Sequence, residues 1–560
     1  MRKLSFLTLA TISLFAGLFF ISPAAVRADN ALSVLGASTY YINRYANPPR
    51  SCADGANYSV TYLAADHATV DGTVDNCIAV GDQILLINLQ GTSTSFANVG
   101  NNDILTVTGV YSPNQVYFTP TGKCYGDNSG CYNNIGIADG QQKVMLQRVP
   151  DYSAVTIDPT GVLTADGFDV GRTPTYESNG QTVASWSWSG LRGGVLVFKV
   201  SGNLTNNGTI IMDGEGFSGA PSRIHTESNY GQCGEGGNLP CGIKGWQGNS
   251  YAGNGISANT NNFGGGAGGI DNDASSAGGA GFNGNGGQGC GDGGCQPGGL
   301  SYGISDLSQK LYLGSGGGSG GVYGGGNANH DSGYGGNGGG IIYIIGGTIT
   351  NNGTISSQGV AGGNGGWSKM SSWTGGACPG GGGSGGSIYL IGYSGSNFNI
   401  SYPNVYGKPG GTAACSPGGG GAQGWLSTSI TTPPCEPISP PANLRTVPAI
   451  PTDTNISLVW DPPSPLPTCN CPGLPQYWYL ISLTDTTTGP IFTNQRVDLP
   501  NSSLPLPSSS LTPSHSYNCS VTAANCCGNS SAPASLSFTI PAPTPKPWLK
   551  VNQGDVHSNQ

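Results

Sequence analysis

The chain has 560 residues, a formal net charge of −9 and only 9% charged residues, against about 25% in an ordinary soluble domain. Glycine takes 97 positions, so solubility rests on Ser, Thr, Asn and backbone rather than on charge. The acidic balance, with a pI near 4.9, and the lack of any cluster of Lys or Arg exclude nucleic acid as a partner.

Arg2 and Lys3 precede an uncharged apolar run from Leu4 to Ile21, and Val26-Arg27-Ala28 puts small residues where a signal peptidase reads them. Residues 1–28 are therefore expected to be a signal peptide, an uncleaved membrane anchor being the other reading of the run. No later segment is long and apolar enough to span a bilayer. The expected location is secreted or at the cell surface.

From Asp29 to Pro150 the text is β-rich, with strands expected at Ile84 to Leu89 and Val144 to Val149. A hairpin is expected from Ile104 to Tyr111 and Val116 to Phe118 around Ser112-Pro113-Asn114-Gln115. Helical periodicity is absent, so residues 29–150 read as a small β domain or as a solenoid cap. Trp186 and Trp188 alternate with serine, a pattern that suits a sugar platform but more often packs on a strand face.

The text from Gly193 to Gly219 is then repeated. NNGTI occurs at Asn206 to Ile210 and again at Asn351 to Ile355, a fainter copy runs from Ile157 to Gly167, and a degenerate one starts at Gly385. Each unit reads strand, Asn-Gly or Thr-Gly turn, strand. Copies that cannot bury a face alone predict stacked, β-helix-like repeats over residues 151–425 with glycine-rich insertions; two unrelated hairpins sharing a turn would give similar text. Val195 to Val200 and Ile341 to Ile345 are apolar on both faces except at Lys199, so the outer face needs a cover.

Glycine-rich text from Gly214 to Gly338 and from Gly359 to Gly386 is the expected cover. Its composition alone suits disorder. Cysteines placed through it, and aromatics at Trp246, Tyr251, Phe263, Phe282, Tyr302, Tyr323, Tyr334, Trp367 and Trp373, favour a compact mat of extended glycine strands bonded through their amides.

Sixteen cysteines in an exported chain predict disulfides. The local spacings pair Cys52 with Cys77, Cys124 with Cys131, Cys233 with Cys241, and Cys290 with Cys295; Cys378, Cys415, Cys469, Cys471, Cys526 and Cys527 are further candidates. None has the paired spacing of a zinc site.

After Cys435 the composition turns to Pro, Ser and Thr, and residues 426–441 read as a stiff linker. Asn443-Leu444, Ile456 to Trp460, Tyr477 to Leu483 and Leu511-Thr512-Pro513 leading to Tyr517, Val521 and Ala523 then follow. Their order and spacing closely resemble a fibronectin type III domain over residues 442–541, with a polar tail at 542–560. The resemblance implies a β-sandwich with Trp460 as core tryptophan and Tyr517 as tyrosine corner. It also implies a bridge between the Cys469/Cys471 and Cys526/Cys527 loops, and a buried thiol at Cys519.

Further back, GDQILLINLQG at Gly81, NVGNNDILTVTGV at Asn98, VMLQRVPDYSAVTI at Val144 and the text from Gly193 resemble glycine-rich bacterial surface proteins of the adhesin-like or gliding-motility-associated type. That resemblance implies an extracellular surface protein without an established active site. The expected fold class is thus all-β: an N-terminal β domain, β-helix-like repeats and a sandwich.

Histidines are few and scattered, and no HExxH or Gly-x-Ser-x-Gly occurs. Asp213 with Glu215 are the nearest to a catalytic carboxylate pair, although the copied Asp-Gly at Asp166-Gly167 suits a turn role. Asp271 with Asp273 are weak metal candidates, near a calcium loop without matching one. Thr348, Thr350 and Thr354 with Asn351 and Asn352 form a candidate flat binding face. The expected function is structural or adhesive and non-catalytic, with a polysaccharide or cell-surface protein as partner and no cofactor; the alternative is an extracellular carbohydrate-active enzyme.

Overall fold

The computed structural model describes residues 29–542 except 112, 128–133, 169–190, 226–243, 271–274, 292–293, 323–329, 366–376, 394, 401, 414–415, 431–439, 449–455, 464–476, 499–500, 507–510, 526–527 and 530–532. Residues 1–28, read as a signal peptide, and Trp186, Trp188, Tyr323, Trp367 and Trp373 lie outside the described residues, as do Asp271, Asp273, Cys131, Cys233, Cys241, Cys415, Cys469, Cys471, Cys526 and Cys527. Among the described residues the regular structure is all β apart from one short 3-10 turn at Tyr402–Val405. No helix is long and apolar enough to cross a membrane.

The repeated text stacks on itself. A parallel sheet runs in the order Leu32–Val34, Val155–Ile157, Val195–Asn206, Ile341–Asn351, Ser387–Gly392, Trp425–Ile430, with Asp151–Tyr152 also on the central strand. A second parallel sheet takes the short strands Thr39–Tyr41, Val162–Thr164, Thr209–Ile211 and Thr354–Ser356. The NNGTI copies lie in register, Asn206 on Asn351 and Ile210 on Ile355. Val155, Ile157, Leu204, Ile210, Ile349 and Ile355 fill the space between the sheets with almost no exposure, each contributing about 1.5–3 kcal/mol on burial.

At the turn, Asn206 Nδ2 donates to Asn351 Oδ1 at 2.7 Å, and Asn351 Nδ2 continues to the Phe398 carbonyl at 2.8 Å. This ladder satisfies buried amides from one unit to the next. The fainter copy is stacked two residues out from the alignment of its text: Ile157 sits on Asn206 rather than on Leu204, while Val162 returns to Thr209. Its turn is two residues longer, and an even slip keeps every side chain on its own face.

Residues 29–150 divide between two units. Leu32–Val34 and Thr39–Tyr41 join the stack, while six antiparallel strands from Asn57–Leu63 to Lys143–Val149 close a barrel. Its interior holds Val60, Ile84, Leu86, Val107, Val116, Phe118 and Leu146. The opposite face of its wall, Leu85, Ile87, Met145 and Val149, packs on Val195, Val197 and Ile341 of the stack. The apolar outer face is therefore covered jointly by the barrel and by Leu307, Leu311 and Leu313 of the glycine-rich text, not by glycine strands alone. At this seam Arg148 donates to both carboxylate oxygens of Asp29, at 2.9 and 2.7 Å, and to Asp82 at 3.2 Å. Residues 426–430, read as the start of a linker, are a strand of the parallel sheet.

The glycine-rich text is an ordered lattice. In the buried segment 314–321, the N–H groups of Gly314, Gly317 and Gly320 donate to the carbonyls of Gly339, Gly336 and Gly333. Those of Gly316 and Ser319 donate to Asn249 and Trp246, and those of Gly318 and Gly321 to Gly278 and Ser275. The carbonyls accept in the same rhythm: Gly314 and Gly317 from Phe217 and Ala220, Gly316 and Ser319 from Gly266 and Gly269, Gly318 and Gly321 from Gly381 and Cys378. Donors pointing to a new neighbour at each residue and returning every third describe the three-fold helix of extended polyglycine, which has no internal hydrogen bonds. A Cβ at Gly318 would overlap the Ala267 carbonyl oxygen.

The C-terminal unit is a sandwich of a three-stranded and a five-stranded sheet. Trp460 is buried in its core edge-on to Tyr479, and Tyr517 Oη accepts the Thr512 N–H at 2.6 Å. Cys519 is a buried free thiol, pushed up to about 12 by desolvation. Disulfides join Cys52 to Cys77 and Cys290 to Cys295; Cys124 and Cys378 are also disulfide-bonded.

The lattice makes a sharp contrast between glycines. Gly318→Ala is expected to destabilise by at least about 1–3 kcal/mol through overpacking, whereas Gly284→Ala, with open space around its Cβ position, stays within about 0.5 kcal/mol. Thermal unfolding of the two variants checks this, and equal melting temperatures would contradict the lattice.

Candidate functional site

The carboxylates singled out in the sequence separate into different roles. Asp213 Oδ1 accepts the Ser356 hydroxyl and the Gln358 N–H, both at 2.6 Å, fastening the end of one unit to the next. Glu215 is pushed up to about 7, first by burial and then by the nearby Asp166 charge. Asp166 is ion-paired with Arg44, and its N–H donates to Asn43 Oδ1 at 3.0 Å. A Cβ at Gly167 would overlap Glu215 Oε2, so the glycine of the copied Asp-Gly makes room for that carboxyl. The arrangement can hold a proton near neutrality.

The threonine face is not assembled as a five-residue surface. Asn351 is fully buried in the amide ladder, while Asn352 Nδ2 reaches sideways to Asn207 Oδ1 at 3.0 Å. Of the described glycine-region aromatics, Tyr251, Phe263, Phe282 and Tyr302 turn inward, while Tyr334 is exposed. Tyr251 stacks on Tyr302 at 4.4 Å, Phe282 lies 4.6 Å from Tyr302, and Phe96 of the barrel meets Tyr251 and Phe263 at 5.3 Å. These rings are internal struts between lattice and barrel.

Between stack and sandwich lies a cleft of about 890 Å³, lined by Asp29, Asn30 and Ser153 on one side and Phe492, Asn494 and Asn501 on the other. Beside it Arg496 donates to Asp151 at 3.0 Å and Asp498 at 2.6 Å, with its guanidinium 4.6 Å from the Trp478 ring centre. Lys199, the charged exception in the apolar strand, pairs in register with Asp151 and is pushed down to about 8 by burial. Two cations and two carboxylates balance here, which fastens the sandwich to the stack.

An exposed constellation of rings lies on the barrel. Tyr62, His67, Tyr117 and Tyr111 come from four adjacent strands, Asn57–Leu63, His67–Val70, Gln115–Phe118 and Asn102–Tyr111. His67 and Tyr117 are register partners and stack at 4.7 Å and 16°; Tyr62 stands 5.7 Å from His67. Tyr111 meets Tyr117 nearly edge-on at 4.9 Å and folds back over Gly109, where a Cβ would sit 3.2 Å from its ring. Tyr62 and Tyr111 remain 43% and 60% exposed, a large apolar exposure to leave beside other rings. His67 Nδ1 is held by the Asp66 carboxylate at 2.8 Å. Sequence reading found this hairpin without assigning its faces. The signal was the alternation Gln115-Val116-Tyr117-Phe118, in which Val116 and Phe118 point inward and Tyr117 therefore outward.

No family model matches the chain, and no curated protein matches it. Among solved structures, a computer-redesigned β-sandwich protein is 22% identical, covering 19% of this chain and 97% of that one at a TM-score of 0.15. The FN1-FN3 domains of chicken CNTN1 are 14% identical, covering 24% and 39% at 0.15. The Gp54 tailspike of Acinetobacter baumannii bacteriophage AP22, solved with a capsular saccharide, is 15% identical, covering 33% and 29% at 0.13. Each of these likenesses covers a minor part of this chain.

The raised Glu215 carboxyl gives a signed pH effect. The folded chain holds its proton up to about pH 7, whereas the unfolded chain releases it near 4.5, so stability falls as pH rises through that window. Glu215→Gln is expected to be about 1–2 kcal/mol more stable than wild type at pH 7 and nearly equal at pH 4.5. Urea unfolding at both values measures it; a difference independent of pH would contradict the burial of this group.

Proposed function

We propose that the protein is an exported, non-catalytic cell-surface protein with a structural or adhesive role. In this reading the parallel stack and glycine lattice form a stiff body, and the barrel face and the fibronectin type III-like sandwich are what that body displays. The observation that carries the adhesive part is the ring strip Tyr62, His67, Tyr117 and Tyr111, with Tyr62 and Tyr111 exposed and His67 and Tyr117 half-buried between them, on a barrel whose opposite wall is locked to the stack. A rigid scaffold keeps such a surface preorganised, which lowers the entropy cost of binding. The acidic composition directs the protein toward uncharged or cationic surfaces. Among the described residues, an enzymatic reading would start from Glu215 and Asp166.

The test is to coat beads with the full chain and score both their retention on immobilised polysaccharides and cell surfaces and the appearance of new sugar ends. Retention without new ends is expected. New ends that vanish in Glu215→Gln would replace the adhesive reading with the enzymatic one.

A further inference from the structure

The ring strip has a chemistry of its own, and we infer that it is a binding site for an uncharged polysaccharide chain, an inference that rests on the adhesive reading above. Ring-to-ring steps of 5.7, 4.7 and 4.9 Å cross four neighbouring strands in one row. Three rings stand side by side with their edges outward, and the fourth, Tyr111, is turned across the end of the row. Tyrosine hydroxyls and the imidazole then alternate with ring C–H edges, a mixture of hydrogen-bonding and apolar contacts. A pyranose chain presents the complementary mixture, hydroxyls at its rim and C–H groups on its faces. Each ring step is close to the length of one pyranose unit.

Size decides between a glycan and a folded protein partner. A stable protein interface buries roughly 800 Å² on each side, while four partly exposed rings, each worth at most about 150–250 Å² when fully buried, offer a few hundred. The exposed neighbours Thr61, Thr108 and Gln115 are hydroxyl and amide side chains rather than aliphatic ones. They extend the hydrogen-bonding rim without widening the apolar strip. Charge decides between classes of glycan. The charged group bonded to the strip is the Asp66 carboxylate, 59% exposed, and with a net charge of −9 the site repels uronate or sulfate chains.

The strands beneath are fixed from the other side. Ala68, Val107, Val116 and Phe118 are buried in the barrel, so the rings are held before the ligand arrives. Gly109 matters in the same way, because a Cβ there would sit 3.2 Å from the Tyr111 ring and crowd it.

The experiment compares the full chain with Tyr111→Ala, Tyr117→Ala and Tyr117→Phe on immobilised neutral chains (cellulose, xylan, mannan, dextran) and charged ones (alginate, hyaluronate). Tyr406→Ala, an exposed tyrosine elsewhere, is the control. Wild type is expected to be retained on at least one neutral chain. Tyr111→Ala and Tyr117→Ala should weaken that binding at least tenfold, Tyr117→Phe less, and Tyr406→Ala not at all. Because Tyr111 is mostly exposed, its variant should melt like wild type, separating lost binding from lost fold. Retention unchanged in both alanine variants, or restricted to the charged chains, overturns the assignment while leaving the adhesive reading standing. No retention of wild type on any polysaccharide or cell surface overturns both.

Discussion

The glycine-rich lattice depends on one contact: the N–H of one extended glycine strand against the carbonyl of the next, at a separation that leaves no space for a Cβ. Ordering backbone costs about 1–2 kcal/mol per residue, more for glycine, and a hydrogen bond returns about 0.5–1.5 kcal/mol. A glycine mat alone therefore falls short of stability. What tips it is attachment. The inward rings Tyr251, Phe282 and Tyr302 and the leucines Leu307, Leu311 and Leu313 supply the apolar burial that glycine lacks. The parallel stack supplies a template from which the glycine strands depart.

The stack is apolar on both faces of its central strands, an arrangement stable only when each face has a partner. Inside, the partner is the second sheet. Outside, it is the barrel wall together with Leu307, Leu311 and Leu313 of the glycine-rich text, so the barrel is fixed by side chains that help to complete the stack. The sandwich is attached differently, through Arg496 between Asp151 and Asp498 with Lys199 close by. Such a polar junction specifies orientation more than it adds stability.

The stacking of repeats was legible because its signal is literal: NNGTI appears twice, and the structure lays one copy on the other. Four of the six barrel strands were legible from their apolar runs, Asn57–Leu63 and His67–Val70 were not, and the all-β class was legible from the absence of helical periodicity. Closure of the barrel was not, since it depends on pairing Asn57–Leu63 with Lys143–Val149, far apart in sequence and without a shared motif. The strand at Trp425–Ile430 was hidden by its alternating Ser and Thr and by the prolines that follow. The exposed rings escaped notice because each is ordinary alone; their row exists only after four strands are placed side by side. Asp213 and Glu215, two residues apart in text, stay close enough for the Asp213 charge to help raise Glu215, yet they take different partners: Asp213 holds Ser356 and Gln358, while Glu215 lies against Gly167.

The lattice also says how this chain can change length. Because each neighbour is met every third residue, and because its contacts run parallel to 217–220 and antiparallel to 333–339, a strand can be lengthened by a triplet without disturbing the neighbours already bound. A one-residue insertion rotates every later amide toward the wrong neighbour. Growth by triplets would therefore let such proteins lengthen the distance between their fixed stack and their outer tips over evolutionary time, a ruler graduated in steps of three residues.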